Sequence, residues 1–239
     1  MLTILSEVSN RHFVKYTFLK LDPAWRRLPA PEREAHKREF LAAIEDFATD
    51  HLVQAFSLVG TRGDADLMLV TETENLDRIH EFHVVLAQSG LMKYSEQPYS
   101  FLGIRKTSEY SDEERQVPRA FSGRYLFVYP FVKRREWYGL PAEERQRIMA
   151  EHIRVGREYP QVDNHTTYSF GLDDQEFVVA FDTDDAAAFL DLVQRLRTTE
   201  SSAWTERDTP SFTCIRTSPE RAVNALDGEA LTALPSLSS

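Results

Sequence analysis

Residues 124–145 read RYLFVYPFVKRREWYGLPAEER, and residues 11–33 read RHFVKYTFLKLDPAWRRLPAPER. Both stretches begin with Arg, and near the end of both a Trp lies three residues before Leu-Pro-Ala. The chain therefore contains a repeat, and the question is which copy carries the chemistry. Each copy has a Tyr, an aromatic residue and a Lys at alternate positions: Tyr16, Phe18 and Lys20 in the first, and Tyr129, Phe131 and Lys133 in the second.

The repeat continues beyond these stretches. GTRGDADLMLVTETENLDRIHEF (60–82) and GLDDQEFVVAFDTDDAAAFLDLVQRL (171–196) each predict a turn, an apolar strand and an amphipathic helix, and PYSFLGIRKTSE (98–109) matches TPSFTCIRTSPE (209–220). Each half therefore predicts the order βαββαβ of a ferredoxin-like unit. We predict an α+β fold in which tandem ferredoxin-like units form a dimeric α+β barrel within one chain, with the ligand in its interior.

The same pattern divides the chain. We predict an N-terminal ferredoxin-like domain (1–110), a linker (111–123), a C-terminal ferredoxin-like domain that holds the ligand (124–226) and a flexible tail (227–239). The Pro and acidic residues of LPAPER and LPAEER predict the start of the first helix in each half. Asn75 and Asp184 are the predicted caps of the second helices.

Composition excludes several classes of function. The formal net charge of −10 argues against a nucleic-acid-binding surface. No apolar run approaches the roughly 20 residues that span a bilayer, and the N-terminus lacks the pattern of a signal peptide, so we predict a cytoplasmic protein. The single cysteine, Cys214, excludes an internal disulfide and a multi-cysteine metal site, and we expect it to be buried.

A change of residue type between the copies marks a candidate site. His152 lies on the predicted apolar face of a helix with Ile148, Met149 and Ile153, where the first copy has Phe40. An imidazole there either has a structural role, through a hydrogen bond, or is a ligand. A neutral imidazole in an apolar cavity is what haem iron needs as its protein ligand.

Two further patterns bear on this choice. Alternation along a strand places Tyr129, Phe131 and Lys133 on one face, although Tyr129 could equally be a core residue, like its apparent counterpart Tyr16. His80 and His83 are spaced to share a helix face, but no carboxylate at a fixed spacing completes a metal site, so ordinary helix positions are favoured.

With the repeat and His152 established, the chain resembles the chlorite dismutase family, which includes the coproheme decarboxylases of bacterial haem synthesis. The segments that carry the resemblance are YPFVKRREWYGLPAEER, MAEHIRVGREY, TTYSFGLDDQEFVVAF and TERDTPSFTCI, within roughly residues 10–225. The resemblance implies haem in the C-terminal domain, His152 as the proximal iron ligand and assembly into a homo-oligomer, usually a pentamer.

The decarboxylase motif of that family, YPMxKRR, reads YPFVKRR here. The resemblance therefore implies that Tyr129 forms the radical that starts decarboxylation and that Lys133 orients a propionate, while Phe131 replaces the usual Met. It also implies contacts of Phe131 and Met149 with the porphyrin, and a propionate-binding arginine in the linker. Arg115 and Arg119 are both candidates for the latter, and Arg119 is the one that we carry forward.

The residue above the iron separates the activities of the family. Chlorite dismutases have an arginine there and many decarboxylases a glutamine; counting along the chain gives Asn164 from one side and His165 from the other, and we favour Asn164. The resemblance thus implies peroxide-dependent decarboxylation of iron-coproporphyrin to haem b, with porphyrin and hydrogen peroxide as the small-molecule partners. Chlorite decomposition is the alternative, because TERDTPSFTCIRTSPE resembles the dismutase branch; non-catalytic haem binding or transfer is the third.

Overall fold

The structure is a computed structural model that describes residues 11–106, 108, 110 and 118–229. Its first half has two helices against a four-stranded sheet, as the repeat predicts. The elements are β1 (Phe13–Leu21), α1 (Ala30–Ala48), β2 (Leu52–Ser57), β3 (Leu67–Thr73), α2 (Leu76–Leu86) and β4 (Ser95–Ile104).

The second half repeats this order with small additions. Its elements are β5 (Tyr125–Lys133), α3 (Glu136–Gly139), α4 (Ala142–Arg157), β6 (Asp163–Asn164), β7 (Thr167–Tyr168), β8 (Phe177–Thr183), α5 (Ala186–Leu196), β9 (Thr205–Arg207), β10 (Phe212–Thr217) and α6 (Pro219–Leu226). None of the described helices is long and apolar enough to cross a membrane.

The two sheets close into one barrel. The strand order is β4-β1-β3-β2 in the first half and β10-β5-β8-β7 in the second, which is the order of a ferredoxin-like sheet. Antiparallel pairing of β2 with β10, and of β4 with β7, joins the two sheets at both edges. The predicted tandem ferredoxin-like barrel is therefore confirmed, and its eight strands leave no open sheet edge between the halves.

The barrel interior is a packed core. Aromatic rings fill it, and those of Phe18 and Phe212 lie 4.1 Å apart between centroids. Cys214 is fully buried among them, as expected, and burial raises the pKa of its thiol. The interior in which we expected a ligand is therefore occupied by side chains of the described residues.

Helix caps follow the prediction in one half. Asn75 Oδ1 accepts a hydrogen bond from Asp77 N at 2.9 Å and caps α2. In the second half the cap of α5 is Asp185, whose Oδ1 accepts hydrogen bonds from the backbone N–H groups of Ala187 and Ala188. The prediction of Asp184 is therefore wrong by one residue. Asp184 instead accepts from Arg124 N at the start of β5.

The last helix belongs structurally to the first half. Val223 and Leu226 of α6 are buried in the helix–sheet core of α1, β2 and β3. Asp227 forms ion pairs with Arg33 and Lys37 of α1. The C-terminal segment that the repeat assigns to the second domain therefore completes the first. Of the predicted flexible tail, residues 230–239 lie outside the described residues.

Candidate functional site

Strand pairing corrects the correspondence between the two copies. Phe131 pairs with Phe177 as Leu19 pairs with Leu67, and Lys133 N donates to Glu176 as Leu21 N donates to Asp66. The structural equivalent of Tyr129 is therefore Thr17, and the apparent match with Tyr16 is wrong by one residue. A shift of one residue along a strand moves a side chain to the opposite face of the sheet. The Tyr16 side chain lies inside the barrel, whereas that of Tyr129 lies on the helix-facing side.

The corrected offset of 112 residues also relates Trp25 to Trp137 (137 − 25) and continues into the helices. This offset identifies the residues that differ between the halves, both on the helix-facing side of the sheet and on the helix that packs there. The replacements, first half to second, are Thr17 to Tyr129, Leu19 to Phe131, Leu21 to Lys133, Phe40 to His152 and Ile44 to Gly156.

These replacements open the layer between helices and sheet. In the first half this layer is a closed core in which Phe40 is 0% and Ile44 1% exposed. In the corresponding cluster of the second half Val179, Phe181 and Leu192 are buried, but Tyr129, Phe131 and Phe177 of the sheet are only partly buried. We call this surface the cradle; it comprises Tyr129, Phe131, Phe177 and Val179 of the sheet with His152 and Gly156 of α4.

Helix α4 presents two unlike residues to the cradle. His152 and Gly156 lie one turn apart on the same face of the helix. A methyl group on Gly156 would meet no atom within 4 Å, so space is left where Ile44 fills the first half. Sequence reasoning missed Gly156, although the 112-residue offset that identifies His152 also reaches it.

His152 is a partly buried, neutral imidazole. Its Nδ1 is buried and has no hydrogen-bond partner among the described residues. Burial, with a smaller contribution from the charge of Lys133, lowers the pKa of His152 to about 4. Since a core histidine normally has a hydrogen-bond partner, the structural role that the sequence left open lacks support here.

Lys133 is a buried cation at one end of the cradle. Its ammonium donates to Ser201 Oγ at 3.1 Å and lies 4.3 Å from the centre of the Trp137 ring. Ser201 Oγ in turn contacts Met149 Sδ at 3.6 Å, which links the lysine to α4. Burial lowers the pKa of Lys133 to about 8, with Glu176 opposing the shift, so the ammonium is charged at neutral pH.

Tyr129 is a partly buried phenol in the middle of β5. Burial, with a smaller contribution from Asp208, raises its pKa, so it keeps its proton at neutral pH. The nearby charge of Arg197, which forms an ion pair with Asp208, opposes this shift. The neutral phenol can therefore act as a hydrogen-atom donor towards the cradle.

Asn164 and His165 lie on opposite faces of the sheet. Asn164 pairs across strands with Phe181, whose side chain lies in the same apolar cluster as Tyr129, so the Asn164 side chain lies on the cradle face of the sheet. His165 is buried on the other face, where Nε2 lies 2.9 Å from Asp182 Oδ1 and its ring contacts that of Phe121. Of the two candidates for the position above the iron, the geometry favours Asn164.

The linker arginine is already paired. The Arg119 guanidinium donates to the carbonyl oxygen of Asn164 at 3.2 Å and forms an ion pair with Asp163. Arg115, the other candidate for binding a propionate, lies outside the described residues.

The histidine pair of α2 has structural contacts. His83 Nδ1 lies 2.7 Å from the carbonyl oxygen of Ile79, so it donates there, and Nε2 accepts from Thr17 Oγ1 at 2.7 Å. With both ring nitrogens occupied, His83 has none left for a metal. This agrees with the interpretation of His80 and His83 as ordinary helix positions.

Comparison with known proteins identifies the family. A family model described as chlorite dismutase matches residues 33–217. The chain belongs to the chlorite dismutase family. A coproheme decarboxylase from Mycolicibacterium smegmatis is 31% identical over 176 residues, which cover 72% of this chain and 75% of the relative.

Solved structures share the fold. A chlorite dismutase from Candidatus Nitrospira defluvii in complex with imidazole has a TM-score of 0.83 at 22% identity, covering 90% of this chain and 95% of the other. A haem-binding protein from Thermus thermophilus has a TM-score of 0.80 at 28% identity, covering 91% and 95%. The chlorite dismutase fold therefore extends over the described barrel and both helix layers.

Proposed function

We propose that this chlorite dismutase family member binds an iron porphyrin in the cradle, with His152 as the iron ligand, and converts iron-coproporphyrin to haem b with hydrogen peroxide. The observation that carries the proposal is the pair His152 and Gly156. An unpartnered neutral imidazole stands beside open space, in a layer that the first half closes with Phe40 and Ile44.

The residues of the cradle fit an iron porphyrin. A neutral imidazole can bind iron at neutral pH, because the pKa of His152 is about 4. Phe131, Phe177 and Val179 offer apolar contacts to a flat macrocycle. Lys133 supplies a positive charge for a propionate, once its contacts with Ser201 are exchanged. When bound, the haem iron supplies the activation of peroxide.

Tyr129 and Asn164 have complementary roles in this proposal. Asn164, on the cradle face, contributes an amide that can hydrogen-bond a molecule above the iron. Tyr129 gives up a hydrogen atom and then recovers one from the β-carbon of a propionate. For each propionate, two electrons pass to peroxide, which becomes two molecules of water, and the propionate loses carbon dioxide to become a vinyl group.

Two relatives support this choice. The curated relative from M. smegmatis, at 31% identity, is a coproheme decarboxylase, and the T. thermophilus neighbour is a haem-binding protein. Neither residue of the candidate pair Asn164 and His165 is an arginine, which the chlorite-decomposing members of the family place above the iron.

The test is reconstitution with iron-coproporphyrin followed by peroxide titration. We expect a Soret band that shifts on binding, then loss of two propionates in sequence by mass spectrometry. Binding without turnover would favour haem storage or transfer, the non-catalytic alternative. Oxygen release when chlorite is added to the haem b form would favour chlorite decomposition, the alternative suggested by the segment TERDTPSFTCIRTSPE.

The proposal includes the surroundings of the protein. We expect a cytoplasmic homo-oligomer, and a pentamer in keeping with the family. Light scattering on the purified full chain tests the assembly, since a pentamer has five times the mass of the chain and a monomer would contradict this part alone.

A further inference from the structure

We propose that Arg119 is a positioning residue, which clamps strand β6 from the linker and so holds the Asn164 amide on the face of the cradle. The inference deepens the proposed function and rests on it. It assigns the linker arginine to the strand that carries Asn164, and not to a propionate.

The side chain of Arg119 holds β6 at two points. One guanidinium nitrogen donates to the carbonyl oxygen of Asn164 at 3.2 Å, and another pairs with the carboxylate of Asp163. The guanidinium thus contacts both residues of the two-residue strand. Arginine suits such a role because its planar fork can donate to two acceptors at once.

Strand β6 is short. It pairs with β8 through Asp163 and Asn164, and the next residue, His165, continues that pairing through its backbone N–H to Ala180. Asn164 Oδ1 accepts from both the N–H and the hydroxyl of Thr166, at 2.8 and 2.7 Å. These two bonds fix the orientation of the amide, so the position of the strand sets the position of the amide nitrogen.

The backbone of Arg119 is anchored in the first half. Arg105 and Glu72 form a buried ion pair, with Arg105 Nε 2.8 Å from both carboxylate oxygens. Arg105 also donates to the carbonyl oxygen of Arg119 at 2.8 Å, and Arg119 N donates to Glu72. The guanidinium therefore extends from a fixed point of the first half to the candidate site of the second.

A metal ion is the alternative explanation for the carboxylates beside Arg119. Ligand atoms of Asp163, His165 and Asp182 lie within 4.8 Å of one another. A metal-bound histidine normally donates its other ring N–H to an acceptor, but His165 Nδ1 has no partner among the described residues. Nε2 faces two carboxylates and so carries a proton: it donates to Asp182 Oδ1 at 2.9 Å and lies 3.1 Å from Asp163 Oδ2.

The chain provides a matched control. Arg33 on α1 also combines an ion pair, with Asp227, and a hydrogen bond to a backbone carbonyl, that of Leu28. Its side chain is 21% exposed, against 22% for Arg119. It lies in the first half, and its partners Asp227 and Leu28 lie outside the cradle. Arg33→Gln therefore removes the same kinds of interaction without touching β6.

The first readout uses the full chain without porphyrin. Backbone amide hydrogen exchange is compared for wild type, Arg119→Gln and Arg33→Gln. We expect Arg119→Gln to speed exchange in residues 163–166 and Arg33→Gln to leave that segment unchanged. Unchanged exchange in residues 163–166 of Arg119→Gln overturns the inference.

The second readout is the cyanide dissociation constant of the ferric haem-loaded protein. Cyanide on the iron accepts a hydrogen bond from the distal amide, so Asn164→Ala should weaken it about threefold to tenfold, the contribution of one hydrogen bond. Arg119→Gln should weaken cyanide binding to a similar extent. The double variant Arg119→Gln with Asn164→Ala should bind cyanide no more weakly than Asn164→Ala alone. Arg119→Lys, which keeps the charge opposite Asp163, should recover part of the loss.

Additive effects of Arg119→Gln and Asn164→Ala would mean that Arg119 acts elsewhere, for instance on a propionate, and would overturn the inference. So would one equivalent of a divalent metal in the purified protein that Asp182→Asn removes. A wild-type protein without a Soret shift would refute the proposed function, and with it the role towards haem. Faster exchange in porphyrin-free Arg119→Gln would still support the clamp on β6.

Discussion

Gly156 lies one helical turn after His152 on the same face of α4, and together they leave the space that Ile44 and Phe40 fill in the first half. A histidine alone would supply a ligand atom but no room. The glycine supplies the room, at a cost in helix stability of about 1 kcal/mol relative to alanine.

Filling that space should block the cradle. We expect Gly156→Ile, which copies Ile44, to weaken iron-coproporphyrin binding about tenfold to a hundredfold, because overpacking costs about 1–3 kcal/mol. Gly156→Ala is the control, since it should raise the free energy of unfolding by about 1 kcal/mol and obstruct the cradle less. Porphyrin titration and urea unfolding measure the two effects. Equal porphyrin affinity in Gly156→Ile and wild type would contradict a ligand at this position.

His152→Phe, which copies Phe40, should abolish the Soret shift and change the dependence of stability on pH. The pKa of His152 is about 4 in the folded protein, against an ordinary value of 6.5. Between these values the unfolded chain binds a proton that the folded chain does not, so wild type loses stability as the pH falls from 6.5 to 4. In urea unfolding, we expect the free energy of unfolding of His152→Phe to fall less than that of wild type between about pH 7 and about pH 4.5. His80→Gln, at an exposed position of α2, is the control.

The two tyrosines that look alike in sequence should behave differently. Tyr129→Phe should still bind iron-coproporphyrin but form no vinyl group, because the phenolic hydrogen atom is lost. Tyr16→Phe should keep full turnover, since Tyr16 lies in the barrel interior, on the face of the sheet opposite to the cradle. Mass spectrometry after peroxide addition decides this, and turnover by Tyr129→Phe at the wild-type rate would refute the assigned role.

Lys133 should make the porphyrin-free protein more stable as the pH rises through the alkaline range. Its pKa is about 8 when folded, against 10.5 ordinarily, so from pH 8 to 10.5 the unfolded chain holds a proton that the folded chain has released. The gain in free energy of unfolding over that window is at most about 3 kcal/mol. Lys133→Met should lack this gain, whereas the exposed Lys93→Met should retain it. Urea unfolding at about pH 7.5 and about pH 10 measures the difference, and identical pH dependence in Lys133→Met and wild type would contradict the buried charge.

The architecture could be predicted from the sequence because it depends on patterns that are local and written twice. Each half repeats the same order of apolar strands and amphipathic helices, and a ferredoxin-like sheet is the standard way to bury both. The replacement of Phe40 by His152 is visible for the same reason. Helix and loop between Trp25 and Phe40 keep the 112-residue spacing, so the correspondence is unambiguous there.

The register of the first strand could not be read in the same way. The identities of Arg, Tyr and Lys favour an offset of 113, which pairs Tyr16 with Tyr129. Hydrogen bonds to distant residues decide otherwise, since Leu21 is held by Asp66 and Lys133 by Glu176. Side chains alternate along a strand, so this one-residue shift determines which tyrosine faces the core and which faces the cradle.

The sequence by itself therefore determined the duplicated α+β fold, the family and the histidine that distinguishes the second half. The tertiary structure decided that the candidate site lies between α4 and the outside of the barrel, with Asn164 and not His165 on its face. It also brought the linker arginine to β6. The physical reason is that strand pairing and barrel closure join segments far apart in sequence, and only those contacts fix which face of a strand each side chain occupies.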